Sequence, residues 1–152
     1  MSEVAHRAAV LGTPIKHSLS PVIHNAGYAA AGLTDWAYGA YECDEPALPG
    51  FVAGLDPSWA GLSLTMPLKE VALTVADEVS ALARTLGAAN TLYRRDGRWY
   101  AENTDAGGMA DALRTAGLTA ARRVSVLGAG GTARAAIAAA AELGATEVTV
   151  YA

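Results

Sequence analysis

Residues 123–151 read RVSVLGAGGTARAAIAAAAELGATEVTVY, and this stretch decides the fold class. Arg123-Val124-Ser125-Val126-Leu127 is a short apolar run with the β-branched content of a strand. An alanine-rich helix is expected to run to about Leu143, with Gly144 ending it, and Glu147 to Tyr151 reads as a second strand. The whole is one βαβ unit. Between its first strand and its helix stand Gly128, Ala129, Gly130, Gly131, Thr132 and Ala133, with Gly128, Gly130 and Ala133 in GxGxxA spacing. A dinucleotide pyrophosphate needs close backbone approach, free N–H groups and the positive end of a helix dipole, and this loop supplies all three.

The residue that separates NADP from NAD stands at the end of the second strand, as an acid for the ribose or an arginine for the 2′-phosphate. Tyr151 and Ala152 are neither, so both cofactors stay open on this signal. One βαβ unit leaves unpaired strand edges, and a complete dinucleotide fold has more parallel strands. Residues 104–152 are therefore read as the first, incomplete part of a Rossmann domain, and the chain as a fragment.

Upstream, residues 1–103 read as a separate α/β domain. Arg7 to Gly12 is a strand, and an apolar-periodic helix follows Ser20-Pro21 and stops at Gly32. Trp36 to Glu42 and Gly61 to Thr65 are further strands, with a short helix expected between them over Pro46 to Leu55. Helices are expected from Pro67 to about Ala76 and from Asp77 to Leu86, the latter placing Val79, Leu82, Ala83 and Leu86 on one face and ending at Gly87. Asn90 to Arg94 and Trp99 to Asn103 flank Asp96-Gly97, a pair suited to the positive φ angles of a type I′ turn, so a β-hairpin is expected. A helix over Asp105 to Gly117 leads into the βαβ unit.

Composition narrows the function classes. The chain is 52% apolar and 17% charged, which suits a globular core and argues against disorder. No apolar run reaches the ~20 residues of a membrane span, and no signal segment opens the chain, so a cytoplasmic location without membrane partners is expected. The net charge of −4 comes without a basic block, which points away from nucleic acid and towards a small-molecule partner. Cys43 stands alone, far in sequence from His6, His17 and His24, so it reads as a small buried side chain and no metal site is expected. Only Lys16 and Lys69 are lysines, every other cation being arginine, which cannot give up its proton near neutral pH.

Several polar positions carry both a structural and a functional reading. Ser20 before Pro21 has the pattern of an N-cap with proline at the first helical position, while two hydroxyls at a helix N-terminus also suit a carboxylate ligand. Asp105, with Asn103 or Thr104, could cap the helix it heads, and Asn90 could serve a turn. Lys69 is expected in the first turn of the helix that Pro67 opens, where the dipole opposes its charge and favours the neutral amine.

Four motifs stand in order ahead of the glycine loop: Ser18-Leu19-Ser20-Pro21, Leu64-Thr65-Met66-Pro67-Leu68-Lys69, Gly87-Ala88-Ala89-Asn90-Thr91 and Asn103-Thr104-Asp105. This ordered series closely resembles the shikimate dehydrogenase family over the whole chain. The resemblance implies that Ser18 and Ser20 hold a substrate carboxylate, that Thr65 lines the pocket, and that Asn90 and Asp105 bind ring hydroxyls. Lys69 and Asp105 are implied as the catalytic pair, Lys69 delivering a proton to the carbonyl oxygen as hydride reaches the carbon. The implied reaction is reversible NADPH-dependent reduction of 3-dehydroshikimate to shikimate, in a monomer or homodimer. The rival readings are a quinate/shikimate dehydrogenase using NAD, and a non-catalytic shikimate-binding module or inactive fragment. One position departs from the family pattern: Ser63 stands where asparagine is common.

Overall fold

The computed structural model describes residues 4–152. Its elements in chain order are β1 (His6–Gly12), α1 (Ser20–Ala30), β2 (Trp36–Glu42), α2 (Leu48–Ala53), β3 (Trp59–Leu64), α3 (Ala72–Val75), β4 (Glu78–Val79), α4 (Ala81–Leu86), β5 (Thr91–Arg95), β6 (Arg98–Glu102), α5 (Asp105–Thr115), β7 (Arg123–Leu127), α6 (Gly131–Glu142) and β8 (Glu147–Tyr151). The first six strands form one mixed sheet in the order β2-β1-β3-β5-β6-β4, and β7 and β8 form a separate parallel pair. Within the larger sheet β1 runs parallel to both β2 and β3, while β5 is antiparallel to β3 and to β6.

Successive side chains along a strand point to opposite faces, so β1 supplies both faces of the sheet. Ala9 and Leu11 join the larger core with Leu48, Leu62, Leu68 and Leu92, whereas Val10 packs on the other face with Ile15 and Tyr38. Helix α1 covers that second face thinly, because none of its residues is buried. The expected hairpin is present, with Asp96 at φ 52° and Gly97 at φ 78°. Cys43 is buried in the larger core, and burial raises its thiol pKa.

Two expected helices take a different form. Over Asp77 to Leu86, the segment 78–79 is instead strand β4, parallel to β6. The open edge of β6 captures it: Asp77 N–H donates to Trp99 O at 2.9 Å, and Ser80 N–H donates to Ala101 O at 3.0 Å. Ser80 Oγ then accepts from Ala83 N–H at 3.1 Å and caps the shortened helix α4. Over Pro67 to Ala76, regular helix is confined to α3, and residues 67–71 form turns. There the Lys69 carbonyl accepts from Ala89 N–H at 2.7 Å, a long-range bond in place of a helical one. Lys69 is thus outside the first turn of a helix, and the expected dipole effect on its amine does not apply.

At the junction between the six-stranded sheet and α5, Asn103 is the buried polar side chain among the described residues, at 3% exposure. Its amide donates to Ala88 O at 3.0 Å, and its Oδ1 accepts from Ala106 N–H at 3.3 Å in the first turn of α5. Asn103→Ala should therefore destabilise the chain by ~1–3 kcal/mol, the cost of leaving buried polar groups unpaired, measured by urea unfolding.

Candidate active site

Parallel strands deliver their following loops to one end of a sheet, and that end is where α/β proteins bind ligands. The loop after β1 carries Ser18 and Ser20, and the turn after β3 carries Thr65 and Lys69. The two are tied together, since Thr65 N–H donates to Leu11 O at 2.9 Å and Thr13 N–H donates to Met66 O at 3.0 Å. The β1 loop is further held by Glu42, whose Oε1 accepts from Ile15 N–H at 3.2 Å. That bond is the main cause holding the Glu42 carboxyl below its ordinary pKa.

Asp105, the first residue of α5, brings the remaining groups together. Its Oδ2 accepts from Lys69 Nζ at 2.5 Å, and its Oδ1 accepts from Asn90 Nδ2 at 2.8 Å. The Lys69 and Asp105 side chains are 16% and 25% exposed, so the pair is mostly withdrawn from water and stronger than a surface ion pair. Asn90 is fixed in turn, because its Oδ1 accepts from Thr104 N–H at 2.8 Å while its amide also donates to Thr104 Oγ1 at 2.9 Å. Asn90 is thus tied to the head of α5 across the gap between strands, and not used in a local turn.

Ser18 and Ser20 lie half-buried at the N-terminus of α1. The cap expected of Ser20 is absent: the helix starts at Ser20 itself, Leu19 precedes it, and no side chain caps the helix. Ser18 Oγ instead accepts from Ser20 N–H at 3.3 Å. Of the first backbone N–H groups of this 11-residue helix, that of Ser20 is met by Ser18, Pro21 has none, and that of Ile23 donates to Leu19 O at 3.1 Å, which leaves Val22 N–H as the one placed to meet an anion. Neither serine joins the Lys69–Asp105–Asn90 cluster by a direct bond.

A cleft of about 390 Å³ separates the Lys69 turn from the glycine loop, lined by Thr65, Met66, Lys69, Gly128, Gly130 and Thr132 among others. A Cβ at Gly128 or Gly130 would meet nothing within 4 Å, so the loop faces open space. No acid stands in the first turn of α6. The N–H groups at that helix start give the cleft the donors that a dinucleotide's phosphates require, while the Lys69 ammonium is paired with Asp105 and Glu70 also lines the cleft. Of the loop residues expected to hold the dinucleotide, Gly128, Gly130, Gly131, Thr132 and Ala133 line the cleft, and Ala129 is not among the lining residues. Among the described residues no group of His, Cys, Asp and Glu gathers as a metal site.

Tyr38 makes a long-range contact that the sequence did not reveal. Its hydroxyl donates to Ser63 Oγ at 2.7 Å, and its backbone is held on both sides by the Asn25 amide at 2.9 Å. Burial raises the phenol pKa against the smaller opposing pull of the Ser63 bond, so the hydroxyl keeps the proton it donates. His24 stacks on the Tyr38 ring at 4.0 Å. The register pairs Ser63 with Thr91, the residue after Asn90, so both side chains share one face of the sheet. The contact joins residues 25 positions apart on strands two places apart in the sheet, and no local pattern announces it.

Comparison with known proteins places these features in a family. Residues 10–92 match the family model of the shikimate dehydrogenase substrate binding domain. The shikimate dehydrogenase (NADP(+)) of Caulobacter vibrioides is 49% identical over 146 residues, covering 93% of this chain and 51% of that protein. The crystal structure of Mycobacterium tuberculosis shikimate dehydrogenase superposes with a TM-score of 0.86 at 50% identity, over 95% of this chain and 54% of the other. Shikimate 5-dehydrogenase from Thermus thermophilus, in complex with NADP(H) and shikimate, superposes with a TM-score of 0.86 at 40% identity, over 95% and 56%. The chain spans about half the length of the curated relatives it matches.

Because Ser20 makes no capping bond, Ser20→Ala should change the unfolding free energy by less than ~0.5 kcal/mol in urea melts, against the ~0.5–2 kcal/mol that removal of a true cap costs.

Proposed function

The chain belongs to the shikimate dehydrogenase family, and we propose that it is the substrate-binding part and first cofactor-binding unit of an enzyme that reversibly reduces 3-dehydroshikimate to shikimate. The observation that carries the proposal is the Lys69 amine at 2.5 Å from Asp105 Oδ2, on the lip of a cleft whose far wall is the glycine loop. NADPH, when bound, supplies the hydride. Residues 1–103 form the substrate domain in this proposal, and residues 104–152 open the cofactor domain.

The chain's own residues supply binding, orientation and a proton. Ser18 and Ser20, with the N-terminus of α1, hold the substrate carboxylate. Asn90 and Asp105 take ring hydroxyls, and Thr65 closes the side of the pocket. Lys69 gives its proton to the carbonyl oxygen as that oxygen becomes basic, and takes it back in the reverse direction. Asp105 holds the amine in line for that transfer, and Asn90 fixes the carboxylate that does so. The cofactor is NADP, as the relatives' names support. The protein acts in the cytoplasm as a monomer or homodimer, with a small molecule as its partner. No helix among the described residues is long and apolar enough to cross a membrane.

Leu127, 84% exposed, lines the cleft, whereas the two-stranded β7–β8 sheet with its 58% exposed Tyr151 supports further strands pairing with its edges in the working enzyme. The chain of 152 residues should accordingly bind shikimate weakly and show no steady dehydrogenase turnover; turnover in a spectrophotometric NADPH assay would overturn the need for that further segment.

In a chain carrying the segment its relatives possess, Lys69→Ala should lower kcat by ~100- to 10,000-fold with little change in KM, the range for a positioned general acid. Asp105→Ala should cost a similar order, and the double variant should be barely worse than either, because paired groups lose their function together. Near-normal kcat in Lys69→Ala would move the proton donor elsewhere. Ser18→Ala with Ser20→Ala should instead raise KM far more than it lowers kcat, since a carboxylate contact is made about equally in ground and transition states.

A further inference from the structure

We infer that Arg134 is a positioning residue, latching the first turn of α6 to the turn that carries Lys69 and thereby setting where the Lys69 amine stands over the cleft. The inference deepens the proposed function and rests on it for its catalytic consequence.

An arginine directly after a glycine loop at a helix start would ordinarily be assigned to phosphate. Here its fork is already occupied. Nη2 donates to Glu70 Oε1 at 2.8 Å, while Nη1 donates to Gly87 O at 3.1 Å and Leu86 O at 3.3 Å. All three partners belong to the part of the chain that carries Lys69, between 47 and 64 residues away in sequence. A planar guanidinium that donates in two directions fixes orientation as well as distance, which a lysine in its place would not do. The left-handed φ of 63° at residue 87 calls for glycine, and a Cβ there would stand 2.9 Å from Nη1 and push the guanidinium aside.

The same helix face reaches Lys69 one turn earlier. Gly131 and Arg134 are three residues apart and so share a face of α6. A Cβ at Gly131 would lie 3.3 Å from Lys69 Cδ, so the lysine stem already runs against that position. Lys69 Nζ also donates to Thr132 Oγ1 at 3.3 Å. The Lys69 backbone is anchored to the same block, since its carbonyl accepts from Ala89 N–H two residues after Gly87. Arg134 therefore grips both ends of the small frame that holds the lysine, the neighbouring Glu70 on one side and the end of α4 on the other. The Arg134 and Glu70 side chains are 39% and 59% exposed, so their ion pair adds little stability and its value is geometric.

The chain has two lysines, Lys16 and Lys69, so labelling lysine with ¹³C at Cε gives two resolved NMR signals. In the 152-residue chain, Arg134→Ala should shift and broaden the Lys69 signal and leave Lys16 in place, well below the melting temperature. Glu70→Gln should move the same signal, and Arg134→Lys should restore it only in part. If Arg134→Ala does not fold, the other two variants carry the test, and an unchanged Lys69 signal in both overturns the latch. In the longer chain, Arg134→Ala should lower kcat by roughly 10- to 100-fold, as a displaced catalytic group does, with KM for NADPH nearly unchanged. A raised KM for NADPH with kcat retained would make Arg134 a phosphate ligand and overturn the inference. Normal kcat in Lys69→Ala would remove the catalytic role of the lysine, yet the NMR shift would still report the latch.

Discussion

The two oxygens of Asp105 tie together three stretches of chain that have no local reason to meet. One oxygen takes the Lys69 ammonium and the other the Asn90 amide, and the carboxylate itself opens α5. Each partner is mostly shielded from water, so separating one would leave a poorly solvated charge or amide behind. That penalty holds the Lys69 turn, the start of β5 and the head of α5 in one arrangement. Asn103 serves the same junction from beneath, trading its amide between the Ala88 carbonyl and the first turn of α5.

Around this tie the molecule divides its tasks between two sheets. The parallel part of the larger sheet sends the loops after β1 and β3 to one end, where hydroxyl, amide, amine and carboxylate groups collect. The smaller unit brings a helix N-terminus and an open glycine loop to the same place. The cleft between them belongs to neither unit alone, since Thr65 and Lys69 form one side and Gly128, Gly130, Gly131, Thr132 and Ala133 the other. Lys69 donates to Asp105 at the head of α5 and to Thr132 on the glycine-loop side, so its amine bridges the two units.

Local reading failed where a distant strand offered a better partner than the helix did. Glu78 and Val79 lie in a stretch with helical spacing, yet the edge of β6 leaves carbonyls that their segment satisfies as a ladder. Lys69 sits after a proline that reads as a helix start, but its carbonyl is claimed by Ala89. Ser20 has the pattern of a cap, although the helix begins at that residue and its backbone N–H is met by Ser18. In each case a hydrogen bond settled the backbone at a place where propensity alone was nearly indifferent.

By itself the sequence determined the features with short-range causes. These are the βαβ unit around Gly128 to Ala133, the Asp96-Gly97 hairpin, the stop at Gly87 and the order of motifs that marks the family. It also named Lys69, Asp105 and Asn90 as candidates, because their motifs are contiguous and the residue types are specific. Only the tertiary structure decided that one carboxylate joins those three, that Tyr38 donates to Ser63, and that Arg134 is spent on Glu70 and the end of α4. Such contacts link residues 15 to 64 positions apart, and their geometry follows from strand order and register, which a pattern of neighbours along the chain does not encode.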